Sequence, residues 1–305
     1  MKKVLFIINP TAGKERMKRY LMSVLDLFTK ADWDVTVHIT QAALDATNVA
    51  QKQGADFDMI VCSGGDGTLS ETISGMTRLY KLPVLGYIPA GTTNDFASSL
   101  QISSNTMKAA QTVIDGHPQP VDIGFFCEER TFVYVAAFGA FTEVSYMTPQ
   151  EKKNLLGHQA YMLEAIKRLT GLKSYRMRLT WEHLGEQREL EEEFILGMVT
   201  NTTSIGGFKG LVGMDVALDD GEFEVLLVRK PRTPLDIASI AAYLIQREGE
   251  NECVFKFRTS KLTVQSEELV DWSLDGEFGG SQTEVVIENK PREIAIRVPE
   301  VTVRG

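Results

Sequence analysis

The first 125 residues alternate short apolar runs with amphipathic segments. The apolar runs are rich in β-branched residues and predict buried strands at Val4–Ile8, Val35–Ile39, Met59–Cys62 and Val84–Ile88. Between them, apolar residues recur at three- and four-residue spacing, which predicts helices at Met17–Phe28, Leu44–Gln53, Leu69–Thr77 and Thr106–Ile114. We therefore expect an α/β domain over residues 1–125, with a parallel sheet and helices on both of its faces.

The pattern changes after Pro118-Gln119-Pro120 to many short segments in which apolar and polar residues alternate. Such segments predict strands at Thr131–Ala136, Arg176–Trp181, Phe194–Thr200, Phe223–Val228, Phe255–Phe257 and Leu262–Gln265. Two helical patterns interrupt them, at Leu155–Leu169 and Leu235–Gln246. Residues 126–289 are thus expected to form a second, mainly antiparallel β domain, a sandwich or a barrel.

Composition narrows the class of protein. A chain of 305 residues that is 43% hydrophobic and 24% charged is typical of a two-domain globular protein. The formal net charge of -9 argues against a nucleic-acid-binding protein, which would carry a basic excess. Cys62, Cys127 and Cys253 form no C-x-x-C pair, so neither a disulfide framework nor a cysteine zinc site is expected.

The pattern also argues against a membrane-spanning or exported protein. The longest apolar candidate, Leu235–Ile245, is far shorter than the roughly 20 residues that cross a bilayer. The opening Met1–Ile8 is too short for a signal peptide and meets Asn9-Pro10 instead of a cleavage site, so we interpret it as a first strand. A cytoplasmic protein is expected.

The strongest chemical signal is the glycine-rich string Ser63–Glu71, which follows the apolar run Met59–Cys62 and opens a predicted helix. Glycines let the backbone approach a phosphate closely, and the free amides at a helix start attract anions. Two further glycine-bearing loops, Asn9–Lys14 and Pro89–Phe96, follow other predicted strands. Since ligands of parallel sheets bind at the carboxyl ends of strands, the three loops together predict a phosphate site, whereas each alone is equally consistent with a plain turn.

Two common nucleotide-binding motifs are absent. The sequence contains no G-x-x-x-x-G-K-[ST] string, which argues against a P-loop NTPase. The segment Gly65–Ser70 lacks the third glycine of a dinucleotide fingerprint, which argues against a Rossmann dehydrogenase. The three glycine loops therefore belong to another kind of phosphate site.

The residues themselves resemble a known family. The blocks GGDGT (Gly64–Thr68), NPTAGK (Asn9–Lys14) and PAGTTNDFA (Pro89–Ala97) are similar to the nucleotide-site blocks of the diacylglycerol kinase catalytic domain, which sphingosine kinases share. The resemblance runs nearly end to end and includes Val121–Gly124 and two later blocks, Leu218–Gly221 and Leu274–Glu277. By this resemblance, residues 290–305 are expected to return to the first domain.

The resemblance implies an ATP site and a catalytic Mg²⁺ ion. Asp66 is implied to bind Mg²⁺, and Asp95 and Asp122 are implied to be carboxylates of its outer shell, whereas from sequence alone each could be a helix-cap aspartate. The residues implied to contact ATP are Asn9, Pro10, Thr11, Ala12, Gly13, Thr40, Gly64, Gly65, Asp66, Gly67, Thr68, Leu69, Ser70 and Thr92.

Glu277 is our candidate for the general base that takes the proton of the acceptor hydroxyl, because it follows Asp275-Gly276 in a strand-like segment, Asp271–Phe278. The resemblance also implies a second, structural Mg²⁺ held by the Asp220 side chain and the carbonyls of Ala217 and Glu222. An ordinary Asp-Asp-Gly hairpin turn explains the same letters, and from sequence alone we favour it.

The expected reaction is transfer of a phosphoryl group from ATP to diacylglycerol, giving phosphatidic acid. A sphingoid base or another glycerolipid is an alternative acceptor, and a non-catalytic nucleotide-binding regulator is an alternative class. Peripheral contact with an anionic membrane surface is expected through the basic segment Glu151–Arg178, and a homodimer is left open. An aromatic and aliphatic set is a candidate acyl pocket: Phe138, Phe141, Tyr146, Leu155, Leu156, Tyr161 and Met162.

Overall fold

The fold is described from a computed structural model of the chain. It describes residues 1–13, 16–139, 173–183, 185–202, 204–205, 208–209, 216–246 and 251–300. Lys14, the helix predicted at Leu155–Leu169 and all of the candidate acyl residues except Phe138 lie outside the described residues.

The first part of the chain alternates strands and helices, as the sequence pattern predicts. Its strands are β1 (Lys2–Ile8), β2 (Trp33–Ile39), β3 (Met59–Gly64) and β4 (Val84–Pro89). Its helices are α1 (Arg16–Lys30), α2 (Asp45–Gln53), α3 (Asp66–Met76), α4 (Asp95–Ser99) and α5 (Thr106–Asp115), with a short 3₁₀ turn at Gly54–Asp56.

Within this part, β2, β1, β3 and β4 pair side by side in parallel. The mixed α/β character of the first region is thereby confirmed. The strand β3 is buried along its whole length, which explains its unbroken apolar run. The prediction that β2 is buried is wrong: Val37 and Ile39 are 38% and 45% exposed, because β2 is the edge strand of this sheet.

The described residues of the rest of the chain form strands and one further helix. The strands are β5 (His117–Phe126), β6 (Arg130–Phe132), β7 (Val135–Gly139), β8 (Tyr175–His183), β9 (Glu186–Thr200), β10 (Ser204–Ile205), β11 (Phe208–Lys209), β12 (Phe223–Arg229), β13 (Val254–Thr259), β14 (Lys261–Leu274) and β15 (Glu277–Val298). The helix is α6 (Pro234–Gln246). In the described part of the chain, no helix combines the length and hydropathy that crossing a bilayer requires.

The second region is mainly antiparallel, which confirms that prediction. Its strands β7, β9, β8 and β14 each pair antiparallel with the next, and β14 pairs back to β7, so they close a small barrel. Aromatic side chains fill its core: the Trp272 ring lies 5.3 Å from Phe126 and 5.1 Å from Phe138, edge to face. Phe138, a candidate acyl-pocket residue, is therefore a buried core residue.

The long strand β15 connects the two regions. Near its start it pairs with β14, along its length it pairs antiparallel with β5, and near its end Ile296 pairs with Leu85 of β4. Strand β5 was not predicted, because Pro118 and Pro120 resemble a linker. Both prolines lie opposite β15, in a stretch of β5 that pairs with no second strand among the described residues, and an edge of this kind tolerates the missing N–H groups.

Candidate active site

The three glycine-bearing loops meet at the carboxyl ends of β1, β3 and β4. Gly13 has a positive φ of 57°, and a Cβ there would collide with the carbonyl oxygen of Ala90. The Ala90 N–H in turn donates to the Gly64 carbonyl at 2.7 Å. A Cβ on Gly91 would lie 2.7 Å from the Cα of Gly65, so only glycine permits this approach of the backbones. We call this edge the nucleotide edge.

Asn9 ties the first loop to the start of α3. Its N–H donates to the Ser63 carbonyl at 2.9 Å, and its side-chain amide donates to the Thr68 hydroxyl at 3.0 Å. Its side-chain oxygen accepts the N–H of Thr11 at 3.0 Å and the Thr11 hydroxyl at 2.9 Å. The structure therefore brings together Asn9–Gly13 and the start of α3, as expected for residues that share one ligand.

The remaining predicted ATP contacts lie on or beside the same edge. The Thr40 N–H donates to the Ile8 carbonyl at 2.9 Å, which places the end of β2 beside the first loop. Thr92 is exposed on the Gly91 loop. Leu69, however, is buried in the apolar core and can offer a ligand only its backbone. The first amides of α3 have no acceptor within their helix, which makes them available to an anion.

Asp66 is a carboxylate with an unused oxygen. Its Oδ2 accepts the Asp95 N–H at 3.1 Å, while its Oδ1 is buried without a hydrogen-bond partner in the described part of the chain. Burial, with a smaller contribution from the nearby carboxylate of Asp95, raises the pKa of Asp66 to about 6. A buried, unpartnered carboxylate oxygen beside a phosphate-binding loop fits a Mg²⁺ ligand, and Asp95, which is also buried, lies next to it.

Glu277 faces this cluster from the other region of the molecule. The turn Asp275-Gly276 joins β14 to β15 with φ values of 52° and 86°, which is the type I′ geometry of a two-residue hairpin. The segment Asp271–Phe278 is thus two strands and a turn, and the prediction of one strand-like segment is corrected. A Cβ on Gly67 would lie 3.0 Å from Oε1 of Glu277, so this carboxylate lies over the first turn of α3.

Asp275 is a site residue that our sequence analysis missed. Its side chain is buried and accepts the N–H groups of Val133 at 2.7 Å, Tyr134 at 3.0 Å and Val135 at 3.1 Å. Ser70 of α3 lies near enough to this carboxylate to lower its pKa. Burial raises the pKa of Asp275, and the backbone donors oppose that effect. The Asp-Gly-Glu string marked this position in the sequence. The role of Asp275 was not visible there, because the N–H groups that its carboxylate accepts lie about 140 residues earlier in the chain.

Glu71 is a second residue that the sequence analysis left without a role. It lies one turn beyond Asp66 on α3 and accepts the N–H of Leu44 at 2.9 Å. Leu44 has a positive φ of 63°, an uncommon conformation for leucine. Glu71 thereby holds the connection that follows Thr40, and burial raises its pKa.

Asp122 has partners other than the Asp66 cluster. Its carboxylate accepts the Gly221 N–H at 2.7 Å, the Arg292 N–H at 2.8 Å and the Asn289 side-chain amide at 3.3 Å. No hydrogen bond within the described residues joins it to Asp66. The expected outer-shell role of Asp122 therefore stays a prediction, while the contacts that are present anchor the Asp219-Asp220-Gly221 loop.

At the predicted second metal site, the Asp220 carboxylate already has protein partners. Oδ1 of Asp220 accepts the Glu222 N–H at 3.1 Å, and Oδ2 lies 3.4 Å from the guanidinium of Arg258. Arg258 also pairs with the buried Glu224 at 2.9 Å. Within the described residues, no cluster of three or more His, Cys, Asp or Glu side chains could hold a metal ion. The second Mg²⁺ stays a prediction, and we derive no step from it.

The predicted basic surface is largely neutralised where it is described. Lys173 pairs with Glu268 at 2.9 Å, Arg176 with Glu191 at 2.8 Å, and Arg178 with Glu191 at 3.2 Å. Lys152, Lys153, Lys167 and Arg168 lie outside the described residues.

A different basic surface adjoins the nucleotide edge. A cavity of about 380 Å³ beside Gly13 is lined by Arg16, Arg19 and Tyr20 of α1 and by Ser104–Thr106. The guanidinium of Arg16 donates to the Ser104 carbonyl at 3.1 Å. Among the described residues, neither arginine is paired with a carboxylate, and the described lining of this cavity is basic.

Comparisons with known proteins agree with this geometry. A family model described as the diacylglycerol kinase catalytic domain matches residues 3–126. Diacylglycerol kinase of Bacillus subtilis is 35% identical over 283 residues, covering 92% of this chain and 91% of that protein. That of Staphylococcus carnosus is 34% identical over 281 residues, covering 92% and 90%. The crystal structure of a Bacillus anthracis protein provisionally identified as a diacylglycerol kinase has a TM-score of 0.82 and 26% identity over 99% of both chains.

Proposed function

The chain belongs to the diacylglycerol kinase family, and from this premise we propose that it transfers the γ-phosphoryl group of ATP to the free hydroxyl of diacylglycerol, giving phosphatidic acid. Membership of this family implies that the protein is an ATP-dependent phosphotransferase that acts on a lipid alcohol. The observation that supports the residue roles best is the position of Glu277 over Gly67 in the first turn of α3, the residue that follows the buried Asp66.

In this proposal the nucleotide edge binds the ATP phosphates. Asn9–Gly13 and Gly64–Ser70 offer backbone amides and hydroxyls, and neither segment places a competing positive charge at the phosphates. Thr40 and Thr92 lie where they can contact other parts of the nucleotide. Because the loops touch backbone to backbone, their arrangement is fixed before ATP arrives.

Asp66 would hold the catalytic Mg²⁺ through its unpartnered oxygen, with Asp95 and, as expected from the resemblance, Asp122 in the outer shell. When bound, Mg²⁺ neutralises charge on the phosphate oxygens. Such an ion would also offset the negative charge of the described carboxylates that lie near one another here, Asp66, Glu71, Asp95, Asp275 and Glu277.

Glu277 would act as the general base. The acceptor hydroxyl gives its proton to the Glu277 carboxylate as its oxygen forms a bond to the γ-phosphorus. The bond from that phosphorus to the bridging oxygen breaks, and ADP leaves with the electron pair. Glu277 is exposed, so a lipid hydroxyl presented from outside the protein can reach it.

The two regions would divide this work. We propose that residues 1–125, with the returning segment 290–305, form the nucleotide domain and that residues 126–289 form the lipid domain. Within the nucleotide domain, we propose that helices α1 and α5 cover one face of the parallel strands and that helices α2 and α3 cover the other. The second Mg²⁺ at Ala217, Asp220 and Glu222 belongs to this proposal as a structural ion of the lipid domain.

The acceptor is tested with a panel of lipids. Purified protein, labelled ATP and Mg²⁺ are incubated with micelles of diacylglycerol, sphingosine or monoacylglycerol, and the products are identified by mass spectrometry. Phosphatidic acid as the main product supports the proposal. A faster reaction with sphingosine or monoacylglycerol reassigns the acceptor. ATP binding without any phosphorylated lipid would indicate a non-catalytic regulator.

Contact with a membrane is proposed through the cavity lined by Arg16, Arg19 and Tyr20. Anionic leaflets attract basic residues by about 1 kcal/mol each, and this cavity has basic residues without described acidic partners. It also borders Gly13, so a membrane docked there would lie next to the nucleotide edge. The segment Glu151–Arg178 is a weaker candidate, because its described basic residues are paired.

A further inference from the structure

The Glu277 side chain is held by no partner in the described part of the chain. Among the described residues, no hydrogen bond or ion pair holds this carboxylate, although it lies over Gly67. Since a general base must stay within hydrogen-bond reach of the hydroxyl it serves, something else has to fix its position. Its backbone follows directly on the Asp275-Gly276 turn, so the turn determines where Glu277 lies.

Asp275 has the contacts to fix that turn. Its carboxylate accepts three consecutive backbone N–H groups, those of Val133, Tyr134 and Val135, between 2.7 and 3.1 Å. Its own N–H donates to the Val135 carbonyl at 2.8 Å. The Tyr134 hydroxyl donates to the Asp275 carbonyl at 3.0 Å. Backbone and side chain of this one residue are both held by the connection between β6 and β7.

The same carboxylate lies close to α3. Ser70, one helical turn after Asp66, is near enough to lower the pKa of Asp275, and α3 packs against β6, which directly precedes Val133. The buried side chain thus joins two segments that are far apart in sequence, the hairpin turn and the β6–β7 connection, beside the helix that begins at the phosphate loop. The turn that carries Glu277 is therefore fixed to a segment that packs against this helix.

We propose that Asp275 is the positioning residue for Glu277: its buried carboxylate fixes the hairpin turn against Val133–Val135, and thereby holds Glu277 over the start of α3. This inference rests on the proposed role of Glu277. It also explains the choice of residue at the turn. A type I′ turn accepts Asn as readily as Asp at this conformation, but an Asn amide would direct its own N–H groups at the backbone donors.

The test is a double-mutant cycle on kcat, with Asp275→Asn, Glu277→Gln and both together. If Asp275 acts through Glu277, Asp275→Asn lowers kcat about 10- to 100-fold while the Kd for ATP changes less than threefold. In the Glu277→Gln background the same change has almost no further effect. Tyr134→Phe, a gentler change that keeps the ring, lowers kcat a few-fold.

A second readout does not depend on turnover. Amide hydrogen exchange of the peptide containing residues 274–280 is expected to be faster in Asp275→Asn and Tyr134→Phe than in the wild type. Asp271→Asn is the matched control, because Asp271 is an exposed carboxylate on the same strand, where it pairs with Ser281. It should change neither kcat nor the exchange of that peptide.

The outcomes separate the two claims. If Glu277→Gln loses turnover while Asp275→Asn and Tyr134→Phe keep normal kcat and normal exchange, the positioning role is wrong and the base assignment stands. Losses that simply multiply in the double variant would mean that Asp275 acts by another route, and this also overturns the inference. If Glu277→Gln keeps near-normal turnover, the proposed base itself is wrong.

Discussion

The nucleotide edge and the β14–β15 hairpin form opposite sides of one site by different means. The nucleotide edge consists of backbone that approaches backbone, where Gly13 meets Ala90 and Gly65 meets Gly91. The hairpin side consists of one side chain, Glu277, on a turn fixed by another, Asp275. The comparison teaches that damage to the first side should appear in nucleotide affinity, and damage to the second in turnover.

The largest effect is expected at Glu277. Loss of a positioned general base typically lowers the rate about 10²- to 10⁴-fold, so Glu277→Gln should lower kcat by that amount. The Kd for ATP should barely change, because the nucleotide edge is untouched. Steady-state kinetics and calorimetric ATP titration measure the two quantities. A variant that weakens ATP binding as much as it slows turnover would break the comparison.

Gly91→Val should produce the opposite result. The new side chain would meet the Cα of Gly65, which forces two phosphate-binding loops apart. We expect ATP affinity to fall on the order of 10- to 100-fold, as for the loss of preorganised donors to a phosphate. Gly185→Asn is the control, since Gly185 lies in the other region with open space around it, and asparagine tolerates its φ of 78°. Unchanged ATP binding in a folded Gly91→Val protein would contradict the placement of ATP.

From the raised pKa of Asp66 we predict how the Mg²⁺ requirement depends on pH. Its pKa is raised to about 6, so protons compete with the metal ion below that pH, whereas above it the carboxylate is free to bind. The Mg²⁺ concentration that gives half-maximal rate should rise about tenfold per pH unit below 6. Asp66→Asn should raise that concentration at every pH and remove its dependence on pH in this range. Equal pH dependence in both proteins would show that another group binds the ion.

The smallest effect is expected at the cavity lined by Arg16, Arg19 and Tyr20, which lies beside the nucleotide edge and away from the β14–β15 hairpin. Replacing Arg16 and Arg19 by Gln removes two positive charges, so binding to vesicles rich in anionic lipid should weaken by about a few-fold to tenfold at low salt. Lys108→Gln removes an exposed charge on α5 outside this cavity and is the matched control. Vesicle sedimentation that ignores both lipid charge and salt would remove the proposed docking site.

The positions of helices and strands could be predicted from the sequence better than their burial or the charge of the surfaces they form. Strands β1–β4 and the helices α1, α2, α3 and α5 were predicted because periodic apolar runs depend on local spacing alone. The short helix α4 was missed, because five residues are too few to show a helical period. The burial of β2 was not predicted correctly, since whether a strand lies at an edge depends on which strands pair. Likewise, Glu189 and Glu191 neutralise Arg178 from the neighbouring strand, so a positive segment in sequence is not a positive surface in the fold.

The candidate site shows the same limit. Glu277 and the three glycine loops could be proposed because they form short strings that resemble a family. Asp275 stands in one of those strings, yet its role depends on the amides of Val133–Val135, which only the fold brings near. Glu71 is similar, because the Leu44 N–H that donates to it is separated from it in sequence by α2 and β3. Residues that hold other residues in place have no local signature.

The strand β15 has a consequence for the order in which the molecule is assembled. Ile296 pairs with Leu85, about 210 residues earlier in the chain, and the same strand covers β5. During synthesis, the open side of β4 and the outer side of β5 stay unpaired until the segment around Ile296 has left the ribosome. Such distant pairings form slowly, and an open strand edge invites association with other chains meanwhile. We expect a nascent chain of this kinase to be prone to association through β4 until β15 pairs with it.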